Sequence, residues 1–193
     1  TTNGAVMMDK LLLRAAEIHI QTPDYSLIHS KKGLLEVSKN ITYPVVMKST
    51  IGSMGKNVAL VHNETELVTN YEHLGKRLII QEYLPVSSDT RALVINGICI
   101  GAYKRTRDDD EFRMNRPGNH KEEITLPDEA ITLCEQAAKA QNIEIAGIDL
   151  VEHDGVWYIL EINTSPQFKQ FEEKTSVNVA KEIINYAITK STK

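Results

Sequence analysis

Apolar and polar positions alternate in short runs along much of this chain, and the runs predict strands mixed with helices. Residues 9–18, "DKLLLRAAEI", space their apolar positions as a helix does, and "QTPDY" ends it. "YSLI" reads as a short strand and residues 32–40 as a second short helix. "YPVVMKS" is a strand entering the loop "STIGSMGKN", and "VALV" is a returning strand. Asn63, with Glu66 three residues on, gives a capping-box start to a helix over 64–74. "RLIIQEYLP" is a strand that stops at Pro85.

The remainder holds two hairpins. "TRALVINGICIGAYKR" has alternating runs on either side of Asn96-Gly97, a dipeptide suited to a type I′ turn. "IAGIDLVEHDGVWYILEIN" is the second. Between them lie a long polar loop over 106–120 and a helix, "LPDEAITLCEQAAKAQN", with Pro127 and Asp128 near its start. "TSVNVAKEIINYAITKS" is a C-terminal amphipathic helix. Helices and hairpins without regular βαβ alternation predict an α+β fold. The expected division is 1–76, with the Lys48 strand and its glycine-containing loop, and 77–193, with both hairpins.

One run breaks its own pattern. In "YILEINTSP", residues 158–166, Glu161 and Asn163 interrupt an apolar strand, and side chains at i and i+2 share a face. Asp149 lies on the preceding strand. A two-residue Asp154-Gly155 turn would set Asp149 opposite Leu160 and turn Glu161 away. A three-residue His153-Asp154-Gly155 loop, with Gly155 left-handed, sets Glu152 opposite Val156 and Asp149 opposite Ile159. Asp149, Glu161 and Asn163 then share one face, with Asp149 and Glu161 as diagonal neighbours about 7–8 Å apart. Three hard oxygen donors suit Mg²⁺ or Mn²⁺ over zinc, and Mg²⁺ so held completes its shell with water and phosphate. The alternative is an ordinary solvated sheet face.

Composition narrows the partners. A net charge of −4 argues against nonspecific nucleic-acid binding. No apolar run approaches the roughly 20 residues of a membrane span, and "TTNGAVMMDK" lacks the apolar region of a signal peptide. Cys99 and Cys134 sit in apolar-patterned segments, so they read as buried free thiols in a reducing, cytoplasmic setting. Lys48 ends an apolar strand ahead of Gly52, Ser53 and Gly55, whose backbone N–H groups suit phosphates; a plain hairpin loop is the alternative. Arg91, Lys104, Arg105 and Arg113 gather in the second half, where Arg91 and Lys104 interrupt sheet positions.

With "QEYL", "DTR", "FRMN", "AGIDL" and "LEINTSP" in order, nearly the whole chain resembles the ATP-grasp superfamily. The likeness is nearest its RimK-like branch of ATP-dependent amino-acid, often glutamate, ligases. The resemblance implies two α+β subdomains with antiparallel sheets gripping ATP. It implies a reaction in which ATP phosphorylates a carboxylate and an amine or amino acid attacks the acyl phosphate. Lys10 and Lys48 would touch phosphates, with Gly52, Ser53 and Gly55 covering them. Gln81, Glu82, Tyr83 and Leu84 would form the adenine hinge, and Asp89 would hold the ribose. Arg113 and Asn115 would stand at the phosphate end, with Arg91 and Arg105 as lesser catalytic candidates. Asp149, Glu161 and Asn163 would hold Mg²⁺ or Mn²⁺, and Ser165 would shape the acceptor pocket.

The chain departs from the family pattern at Lys56, Asn57, Gln167 and the lone Gly118 of "RPGNH", near the substrate side. Family members usually carry a further N-terminal α/β domain, so the expectation is the grasp without it, or with a partner supplying that surface. The leading reading is an ATP-dependent ligase. A nucleotide-binding module without its own turnover is the alternative.

Overall fold

The computed structural model describes residues 20–49, 57–75, 77–107 and 119–192. Two antiparallel sheets dominate it. The first holds β1 (Tyr25–Ile28), β2 (Val45–Ser49), β3 (Val58–Val61) and β4 (Leu78–Glu82) in the order β1-β4-β2-β3. The second holds β5 (Ser88–Ile95), β6 (Ile98–Thr106), β7 (His120–Ile124), β8 (Ile145–His153) and β9 (Val156–Asn163) in the order β7-β6-β5-β8-β9. The helix expected over 9–18 and most of the 106–120 loop fall outside the described residues.

The first sheet packs on α1 (Lys31–Val37) and α2 (Glu64–Leu74) through Leu34, Met47, Leu67 and Leu78, none of which is exposed. The α2 start follows its sequence. Asn63 Oδ1 accepts the Glu66 N–H at 3.0 Å, and Glu66 Oε2 accepts the His62 N–H at 2.9 Å, two donors that the helix itself cannot satisfy. β4 belongs to this sheet: the strand pairs with β1 and β2, and the chain leaves the sheet only after Glu82. Ile79, on the other face of β4, reaches into the second core beside Ile20.

The second sheet has a helix layer on each face. On its back, α3 (Asp128–Ala140) packs Ala130, Cys134 and Ala137 against Ala92, Val94, Ile148 and Ile162. On its front, α4 (Lys169–Lys174) and α5 (Val179–Ser191) cover Leu93, Ile95 and Tyr103 with Phe171 and Val179. β7 and α4 were not legible as elements. β7 is an edge strand with no buried residue, and α4 buries only Phe171. Both cysteines are free, with Cys134 buried and Cys99 half-buried beside it.

The segment 21–24 spans the two sheets. Its Gln21 carbonyl accepts the Ile159 N–H of β9 at 2.9 Å, and its Asp24 carbonyl accepts the Glu82 N–H of β4 at 2.7 Å.

Candidate active site

Both hairpins of the second sheet turn through two residues. Asn96 and Gly97 have φ of 52° and 76°, and Asp154 and Gly155 have 51° and 76°, the left-handed pair of a type I′ turn. The three-residue loop expected at 153–155 is therefore corrected. His153 pairs with Val156 and Glu152 with Trp157. Asp149 and Glu161 nevertheless share a face, because the register shifts after Leu150↔Ile159 and Asp149 pairs directly with Glu161. Leu160 is the extra residue of a β-bulge, which absorbs one position of parity. Asn163 follows opposite Gly147.

That bulge completes a row across the sheet: Tyr103 on β6, Arg91 on β5, Asp149 on β8 and Glu161 on β9. Arg91 reaches Asp149 through Nε at 2.6 Å and Nη2 at 2.9 Å. Arg105 Nη2 donates to Asp149 Oδ1 at 2.9 Å, while its Nε donates to Asp89 Oδ1 at 2.6 Å and its Nη2 also reaches Asp89 Oδ2. Arg105 and Asp89 are buried, at 1% and 6% exposure. Burial pushes the Asp89 carboxyl up, to about 6, against the pull of Arg105. Burial opposes charge on Arg105, but Asp149 and Asp89 together outweigh it and raise its pKa.

Lys48 comes from the other sheet. Its Nζ donates to Gln81 Oε1 at 2.6 Å. Burial lowers its pKa, and the nearby Glu161 and Asp149 oppose that drop. Glu161 is exposed to solvent, yet the protein around it and the charge of Asp149 raise its pKa, with Lys48, Arg91 and Arg105 opposing. Formal charge balances, Lys48, Arg91 and Arg105 standing against Asp89, Asp149 and Glu161. Asn163 Oδ1 accepts the Ser165 N–H at 3.1 Å, which leaves that oxygen a second lone pair. The donor set is two carboxylates and an amide; no cluster of three His, Cys, Asp or Glu suited to a metal occurs among the described residues.

At the hinge, Gln81 is buried and its Nε2 has no hydrogen-bond partner among the described residues. Glu82 is turned to solvent, where its Oε2 accepts the Asp24 N–H at 3.3 Å. Beyond β4 the chain bends, with the Val86 N–H donating to the Leu84 carbonyl at 2.9 Å. Tyr83 is half-buried and Leu84 buried.

Asp89 gives both oxygens to Arg105 and is buried, so it anchors that guanidinium. Arg105 and Arg91 are both ion-paired to carboxylates of the sheet. Lys10, Gly52, Ser53, Gly55, Arg113 and Asn115 lie outside the described residues.

The chain belongs to the RimK-like ATP-grasp domain family, which it matches over residues 3–187. A probable alpha-L-glutamate ligase of Legionella pneumophila (strain Corby) is 30% identical over 149 residues, 74% of this chain and 49% of the relative. The glutamate–LysW ligase ArgX of Sulfolobus acidocaldarius is 32% identical over 180 residues, 86% of this chain and 63% of the relative. The chain thus spans between about half and two thirds of the length of these relatives. Among solved structures, the ATP-grasp ligase PsnB complexed with minimal precursor, Mg and ADP superposes with a TM-score of 0.74 at 19% identity, covering 94% of this chain and 57% of that one. That likeness shows the ATP-grasp fold, two antiparallel sheets with their helices.

Proposed function

We propose that this chain is the nucleotide-binding and catalytic part of an ATP-dependent carboxylate–amine ligase, one that adds an amino acid such as glutamate through an acyl phosphate. The observation that carries this reading is Lys48 of the first sheet set against Asp149 and Glu161 of the second. The names of the relatives support the amino-acid donor. Asp149, Glu161 and Asn163 would hold Mg²⁺ or Mn²⁺, since hard oxygens suit both. Such an ion would offset phosphate charge as the phosphoryl group moves.

Lys48 would hold phosphate oxygens, which compensates its own desolvation. The backbone at Glu82, Tyr83 and Leu84 would read adenine, with the buried Gln81 amide behind it. Arg91 and Arg105 hold the Asp149 carboxylate in its orientation. Lys10, Gly52, Ser53, Gly55, Arg113 and Asn115 would complete the phosphate end, and Ser165 the acceptor pocket. The acceptor carboxylate would attack the terminal phosphorus and release ADP. The amine would then attack the acyl carbon and release phosphate. Two free thiols fit a cytoplasmic setting, and no described helix is long and apolar enough to cross a membrane.

The test is ADP formation with glutamate as amine donor and a panel of carboxylates. Acceptor-dependent ADP and phosphate in equal amounts, with an amide product seen by mass spectrometry, is the expected result. ATP binding without turnover across the panel would overturn catalysis in favour of a binding module.

A further inference from the structure

Gly147 pairs with Asn163 on one side and Leu93 on the other. It divides the front of the second sheet, with the apolar layer of Leu93, Ile95 and Phe171 on one side and the charged row on the other. No positive φ requires a glycine here, so backbone conformation does not explain the residue. Space does. A Cβ at this position would stand 2.7 Å from Arg91 Nη1, 3.7 Å from Arg91 Cδ and 2.9 Å from Pro166 Cβ.

From this geometry we infer that Gly147 is a positioning residue for the metal-binding carboxylates, its bare Cα being the floor on which the Arg91 guanidinium lies between Asp149 and the 163–166 turn. Arg91 starts on β5 opposite Asp149 and must lie along β8 to give both Nε and Nη2 to that carboxylate. Its Nη1 then lies over Gly147, and Pro166 closes over the same spot. Pro166 follows the Asn163–Ser165 turn, so one small gap sets both Asp149 and the segment carrying Asn163. An added methyl must shift the guanidinium, the proline or both. The guanidinium is the flexible end of a side chain and gives way first, taking its Nη2 hydrogen bond and its ion pair from Asp149. Arg105 keeps its own hydrogen bond to Asp149, so the carboxylate stays paired but loses its orientation.

This inference rests on the metal reading above, and Mn²⁺ with ADP is the probe. Free Mn²⁺ is followed by electron paramagnetic resonance in the wild-type chain, in Gly147→Ala, in Arg91→Leu and in the double variant. Loss of an outer partner of a ligand typically weakens metal affinity about 10–100-fold. Gly147→Ala should therefore weaken Mn²⁺ uptake by about tenfold or more. In the Arg91→Leu background it should cost several-fold less, the remainder being the push on Pro166, since the guanidinium it displaces is gone. A purely structural glycine would cost the same factor in both backgrounds, and that result overturns the inference. Pro166→Gly removes the second contact, so Gly147→Ala made in that background keeps the Arg91 test if the single variant does not fold. Wild-type chain that takes up no Mn²⁺ sinks the metal reading and this inference with it. Wild-type uptake with equal uptake by Gly147→Ala sinks the inference alone.

Discussion

The two hairpins of the second sheet are built alike and put to different use. Each turns through a left-handed pair, Asn96-Gly97 or Asp154-Gly155, and each carries one bulge on its second strand. In the first, Ile95 faces Ile98, so a regular ladder would bring Asp89 opposite Lys104. The bulge at Ile100 brings Arg105 there instead. In the second, a regular ladder would bring Asp149 opposite Leu160, and the bulge brings Glu161. One hairpin thereby buries an ion pair, and the other presents a carboxylate to solvent. Turn chemistry places a hairpin, while the bulge decides which side chain arrives.

The largest effect should follow from breaking the buried side of that comparison. Arg105→Ala leaves Asp89 buried without its partner, which typically costs about 3–5 kcal/mol. Urea denaturation should show a midpoint shift of that size, and an unchanged midpoint would mean the clasp carries no stability. Glu161→Ala should do the reverse. Its side chain is exposed, so the urea midpoint should barely move, while acceptor-dependent ADP formation falls by about 10²–10³. Equal loss of stability in both variants would erase the distinction between the hairpins.

Much of this was legible in the sequence, and the misses share a cause. The first turn was marked by its Asn-Gly pair and α2 by its cap, because those signals are local, while Asp154-Gly155 was read as part of a longer loop. Asp149, Glu161 and Asn163 were placed on one face by the polarity break in an apolar strand. The route was wrong, since a bulge and not a longer turn restores the parity. A signal existed. Cys99 and Ala102 pack on the back of the sheet three residues apart, as do Ile159 and Ile162, a spacing that regular alternation cannot give. The Asp89–Arg105 pair depends on the first bulge and was missed with it. β4 read as the start of the second half because its partners β1 and β2 lie far back along the chain.

The turns themselves should respond alike. Gly97→Ala and Gly155→Ala meet no atom within 4 Å, so each should cost only the left-handed penalty of about 1–2 kcal/mol. A large difference between them in urea unfolding would show that one turn is held by more than its own backbone. Smallest of all should be the residues just past the turns. Ile98 is 60% exposed and Val156 41%, and Thr at either should stay within about 0.5 kcal/mol of wild type in the same assay.

The segment 21–24 gives the two sheets a common mechanical element. One end is fastened to β4, the other to β9, the strand that carries Glu161, by hydrogen bonds of 2.7 and 2.9 Å. A peptide this short acts as a stiff link between two plates. Any rocking of one sheet against the other would move the ends of β4 and β9 near the link least, and the far edges, β3 and β7, most.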